Sequence, residues 1–116
     1  MLVASLASAG IDPEAIPLYA GALDLARAGV SSTLLPDNLS LASLLRGEVD
    51  AALRALLFDP QTSGGLLAGV PADRAAACVA ALRSNGYVHA AIVGRVTGVA
   101  GFARDVTIVV GRTTCR

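Results

Sequence analysis

Apolar positions along this chain follow two periods, and the switch between them sets out its organisation. Val49, Leu53, Leu56 and Leu57 stand at i, i+4, i+7 and i+8, which predicts an amphipathic helix from about Glu48 to Phe58. After a polar turn the run Leu66–Val70 reads as a strand, and Pro71 leads into a helix over Ala72–Asn85. The buried stripe of that helix is Ala75, Cys78, Val79 and Leu82. Ala90–Thr97 then reads as a strand, Gly98–Arg104 as a turn, and Asp105–Val110 as a closing strand with Val106, Ile108 and Val110 alternating.

Upstream, the punctuation is glycine. Gly10, Gly29 and Gly86 each follow a helical pattern and precede an apolar residue (Ile11, Val30, Tyr87), with Leu6, Leu25 and Leu82 correctly spaced as partners. A glycine takes the left-handed conformation just past a helix cheaply, so all three predict helix ends. The first helix then runs over Met1–Ala9 without a cap, which suggests a chain opening inside an element. Asp12-Pro13-Glu14 makes a turn, and Pro17 opens a second helix burying Leu18, Ala22 and Leu25. Val30–Ser40 reads as loop, with Pro36-Asp37-Asn38 as its turn signal, and Leu41–Arg46 as a short helical piece ending at Gly47. Helices first and β-α-β-β after them predict an α+β fold, with helices packed on one face of a small mixed β-sheet.

Composition narrows the chemistry. The 116 residues suffice for one compact domain. Hydrophobic residues make up 54%, yet only two Tyr and two Phe are aromatic, so Ala, Leu and Val must form the core. Such an apolar chain is expected to have part of its surface covered by a partner or by missing chain. Nine basic residues balance nine acidic ones. That neutrality predicts no nucleic-acid partner, and no apolar run is long enough to predict a membrane span. Lysine is absent, which excludes a Walker lysine, a Schiff base and a pyridoxal phosphate anchor. The single histidine, His89, excludes multi-histidine zinc sites, and Cys78 and Cys115 match no metal spacing. Cys78 reads as a buried inert thiol, and the cysteine pattern fits a reducing cytoplasm.

What chemistry remains concentrates in Asp59-Pro60-Gln61-Thr62-Ser63-Gly64-Gly65, between the helix ending at Phe58 and the strand from Leu66. One carboxylate, three neutral hydrogen-bonding side chains and two glycines suit a loop that offers N–H groups to an anion. Read alone, they suit a tight turn with an aspartate cap better still. A P-loop is excluded by order, since here a helix enters the glycines and a strand leaves them. A Ser63–His89–Asp105 triad can be written down, but Ser63 has no nucleophile-elbow context. Asp37 and Asn38 are turn residues for backbone reasons.

The run Leu57-Phe58-Asp59-Pro60-Gln61-Thr62-Ser63-Gly64-Gly65-Leu66-Leu67 resembles the C-terminal signature of the selenophosphate synthetase (selenide, water dikinase) family, within the AIR synthetase-like superfamily. Ile16-Pro17-Leu18 through Gly21-Ala22-Leu23, and Ala28-Gly29-Val30, resemble the helix that precedes that signature in the family. Asn38 falls where the family has an asparagine. Pro71 to Tyr87 resembles its alanine-rich helix, and Ile92-Val93-Gly94-Arg95-Val96-Thr97 its penultimate strand.

The resemblance implies a partial C-terminal domain over residues 1–110, truncated at its N-terminal side, with a tail at 111–116. It also implies an ATP-dependent kinase that converts selenide to selenophosphate, AMP and phosphate with Mg2+. The family's N-terminal domain, with its reactive cysteine or selenocysteine, lysine and metal aspartates, has no counterpart here. On that basis the chain is expected to bind neither ATP nor Mg2+ tightly alone, to be inactive alone, and to have the missing N-terminal domain as partner. A cytoplasmic homo-oligomer is expected. The implied cleft residues are Asp59, Gln61, Thr62, Ser63, Gly64, Gly65 and Asn38, with no catalytic residue or metal ligand among them. Two other readings stay open: a non-catalytic small-anion-binding or regulatory α+β domain, and an oligomerisation unit.

Overall fold

The computed structural model describes residues 8–44, 47–60, 64–97 and 106–111. They fall into two compact units, each taken here by itself. The described residues up to Pro17 and from Gly64 onward form one, and those from Leu18 to Pro60 the other.

The first unit is built on four strands: β1 (Ser8–Ile11), β2 (Leu66–Pro71), β3 (Ala91–Thr97) and β4 (Val106–Gly111). Their order in the sheet is β1-β3-β4-β2, and every pairing is antiparallel. A helix, α4 (Ala72–Ser84), connects β2 to β3 and lies against β2, β3 and β4. The expected α+β class is what the chain adopts. Strands β2 and β3 do run in the same direction, but β4 inserts between them, so the sheet read as mixed contains only antiparallel ladders. Pro71 closes β2 on the sheet edge, where a missing N–H costs no ladder bond.

Small side chains let α4 approach closely. Ala75, Val79 and Ala90 form the buried cluster, with Val70 and Leu82 packed against it. Cys78 is half-buried rather than buried, because it stands at the margin of that stripe. The helix ends as its glycine predicts. Gly86 has φ +94°, its N–H donates to the Arg83 carbonyl at 3.1 Å, and the Tyr87 N–H reaches back to Leu82 at 3.0 Å. Gly29 ends its helix with the same pair of bonds, to Ala26 and Leu25.

Gly10 does not. It lies in β1, paired with Arg95, and its φ is not positive. The predicted helix over Met1–Ala9 is corrected at Ser8 and Ala9, which are strand, while residues 1–7 lie outside those described. An apolar residue after a glycine is common to helix ends and to strands; the partner Arg95, 85 residues downstream of Gly10, makes the choice, and local spacing cannot register it. Beyond β1, Asp12 caps a 3₁₀ turn over Pro13–Ala15 and its N–H donates to the Val93 carbonyl at 2.8 Å.

The second unit holds α1 (Ala22–Arg27), α2 (Leu35–Leu39), a 3₁₀ turn (Ser40–Leu44) and α3 (Ala51–Phe58). Three expectations are corrected here. The second helix begins at Ala22 rather than Pro17, because Gly21 before it is left-handed, and Leu18 and Leu25 are 40% and 56% exposed instead of buried. Pro36-Asp37-Asn38 is helix, not turn. Proline in a first turn forfeits no intrahelical bond, and α2 is held by the burial of Leu35. Finally, α3 starts at Ala51, not Glu48, because the Asp50 carboxylate accepts from the N–H groups of Ala52 and Leu53, both at 3.1 Å. Of its faces, Ala52 is the buried position, and Leu57 is exposed.

Candidate functional site

The polar loop begins where α3 stops, and the way α3 stops is unlike α1 or α4. No glycine follows it. Pro60 confines the residue before it to extended backbone, and Asp59 sits at φ −68°, ψ 131°. Pro60 has no N–H to offer the Leu56 carbonyl, so one of the two backbone bonds that the glycine motif supplies elsewhere cannot form.

Two side chains take over. Asn38, from α2, donates its Nδ2 N–H to the Phe58 carbonyl at 2.8 Å. Asp59 donates its own N–H to the Ala55 carbonyl at 2.9 Å, while its Oδ1 accepts the Ser32 N–H at 2.9 Å. Ser32 in turn folds the residues before α2: its Oγ accepts from the Leu34 N–H at 3.0 Å and its carbonyl from the Leu35 N–H at 3.2 Å. The Asn38 N–H donates to the Leu34 carbonyl at 3.2 Å. A ring of hydrogen bonds therefore runs from Phe58 through Asp59, Ser32 and Leu34 to Asn38 and back. Ser32 drew no attention in the sequence; serine two residues before an apolar residue in a loop is too common to single out.

Asp59 and Asn38, 21 positions apart, are thus brought together at the C-terminal end of α3. Gly64 and Gly65 are exposed and lead into β2, where Leu66 is 74% exposed. Gln61, Thr62 and Ser63 lie outside the described residues. So do Ser63 and Asp105 of the conceivable triad, while His89 is exposed in a turn closed by the Ala90 N–H on the Tyr87 carbonyl. Among the described residues no three His, Cys, Asp or Glu side chains converge as a metal site would require, and no helix is long and apolar enough to cross a membrane.

At the end of α3, then, the Asp59 carboxylate is bonded to a backbone amide and the Asn38 side chain caps the helix.

The chain is 33% identical over 99 residues to the selenide, water dikinase of Clostridioides difficile, a match covering 83% of this chain and 28% of the relative. It is 39% identical over 84 residues to the selenide, water dikinase of Pelobacter propionicus (70% and 24%). It is also 39% identical over 89 residues to that of Porphyromonas gingivalis (75% and 26%). The chain spans about a quarter of the length of these curated relatives. No family model matches it, and no solved structure does.

Proposed function

Since the chain is a homologue of part of the selenide, water dikinases, we propose that it contributes the phosphate-facing loop of an ATP-dependent selenide kinase, an enzyme forming selenophosphate, AMP and phosphate. The observation that carries this reading is the intact run Asp59-Pro60-Gln61-Thr62-Ser63-Gly64-Gly65 in a chain related to such enzymes. Gln61, Thr62 and Ser63, with the N–H groups of Gly64 and Gly65, are the proposed contacts to phosphate oxygens.

Phosphoryl transfer is largely a matter of positioning and of neutralising charge on the transferred group. Neutral N–H and hydroxyl donors supply part of that neutralisation, each acting on charge that grows on the phosphate oxygens. Magnesium is implied by the family, but the described residues of this chain do not fit a magnesium site: the one carboxylate of the site is bonded to the Ser32 N–H. The metal ligands are therefore proposed to lie outside these 116 residues, and the 116 residues alone are proposed to be inactive.

The test is a chimera in which this chain replaces the matched residues of the Clostridioides difficile relative. Selenide-dependent AMP release should persist, and Thr62→Ala with Ser63→Ala should lower it at least tenfold. A folded chimera whose turnover ignores that double substitution would refute the proposal.

A further inference from the structure

The hydrogen-bonded ring at the end of α3 has an implication for the loop that follows it, and it rests on the reading of that loop as phosphate-facing. We infer that Asp59 and Asn38 are positioning residues: they fix the point and direction from which Gln61–Gly65 departs, and touch neither phosphate nor metal.

The argument starts from where their polar atoms are spent. The Asp59 Oδ1 accepts from the Ser32 N–H, 27 residues earlier, at 2.9 Å, which ties this residue back to the segment before α2. Asn38 likewise gives its Nδ2 to the Phe58 carbonyl, the residue immediately before Asp59. The two bonds hold consecutive residues of one chain segment, one through its carbonyl and one through its side chain. A segment gripped at consecutive residues keeps both its position and its direction.

Helices that end on glycine need no such grip, because the backbone motif at Gly29 and Gly86 satisfies their last carbonyls. At α3 the proline that sets Asp59 extended also removes that motif. Asn38 supplies a donor to the Phe58 carbonyl there, and Asp59 ties the same segment to Ser32. Positional errors of about 1 Å are costly in transfer chemistry.

An acceptor needs only an oxygen lone pair, whereas a cation ligand or a charge in the reaction needs the negative charge. That difference separates the two roles. In the full 116-residue chain, amide hydrogen exchange of Ser32 should speed up about tenfold or more in Asp59→Ala and much less in Asp59→Asn, which keeps an oxygen at the same place. In the chimera, turnover should follow the same order: Asp59→Asn within about threefold of the parent, and Asp59→Ala and Asn38→Ala each down about tenfold, in kcat rather than KM. Two results would overturn the inference. One is Ser32 exchange that is alike in all variants. The other is Asp59→Asn losing turnover as fully as Asp59→Ala while Ser32 stays protected, for then the charge itself acts. A chimera inactive even without substitutions would instead count against the functional reading, and the exchange data alone would decide the role of the two side chains.

Discussion

Replacing Gly94 by alanine should destabilise the chain far more than the same replacement at Gly10 on the facing strand. Gly94 pairs with Ile11 across the β1–β3 ladder, next to the bulge that carries Val93, which is 2% exposed. A Cβ built on Gly94 would overlap the Gly10 carbonyl oxygen and lie 3.1 Å from both the Gly10 carbonyl carbon and the Ile11 Cα. These are backbone atoms and cannot swing aside, so β1 as a whole has to withdraw. Overpacking of this kind costs about 1–3 kcal/mol, and loosening the Asp12 N–H bond to the Val93 carbonyl at 2.8 Å adds about 1 kcal/mol. The expected loss is about 3 kcal/mol, equivalent to roughly 10 °C or more in Tm for a chain of this size.

Gly10, on the facing strand, is the internal control: a Cβ there meets nothing within 4 Å, and its φ is not positive. Gly10→Ala should fall within about 0.5 kcal/mol of the parent, aided by the lower entropy of the unfolded chain. Urea unfolding followed by circular dichroism measures both variants. Equal midpoints for Gly94→Ala and the parent would refute the close-approach argument. Equal losses for Gly94→Ala and Gly10→Ala would do so too, by showing that strand glycines cost the same wherever they stand.

The other predictions can be read with the same assays. Asp50→Ala removes the acceptor of two α3 N–H bonds and should cost about 1 kcal/mol, with Asp50→Asn recovering most of it; an alanine variant as stable as the parent would contradict the cap. Arg83→Met keeps the side-chain stem but deletes the Nε donor 3.0 Å from the Ala90 carbonyl, in a residue that is fully buried, and should lower the urea midpoint by the equivalent of about 1–2 kcal/mol. In the chimera, loss of AMP release on Thr62→Ala with Ser63→Ala tests the loop, and the ordering of Asp59→Asn above Asp59→Ala tests how it is held.

Several elements are legible from spacing alone because their causes are local. The ends of α1 and α4 follow from glycines and the hydrogen bonds within six residues of them, and the stripe of α4 follows from its helical period. The polar loop, too, stands out as a run of small and neutral donors between a helix and a strand. Tertiary structure decided the rest, each time through a partner distant in sequence. Gly10 carries the marks of a helix end, yet pairing with Arg95 makes it strand. Pro36-Asp37-Asn38 carries the marks of a turn, yet Leu35 is buried and Asn38 reaches Phe58, so it is helix. The Asp59 carboxylate, readable as a cap or as a ligand, is occupied by Ser32, 27 residues away. Local backbone preferences are worth about 1 kcal/mol or less per residue, and a long-range bond or a buried side chain is worth as much or more. Where the two agree the sequence suffices; where they compete, the contact that no local window contains prevails.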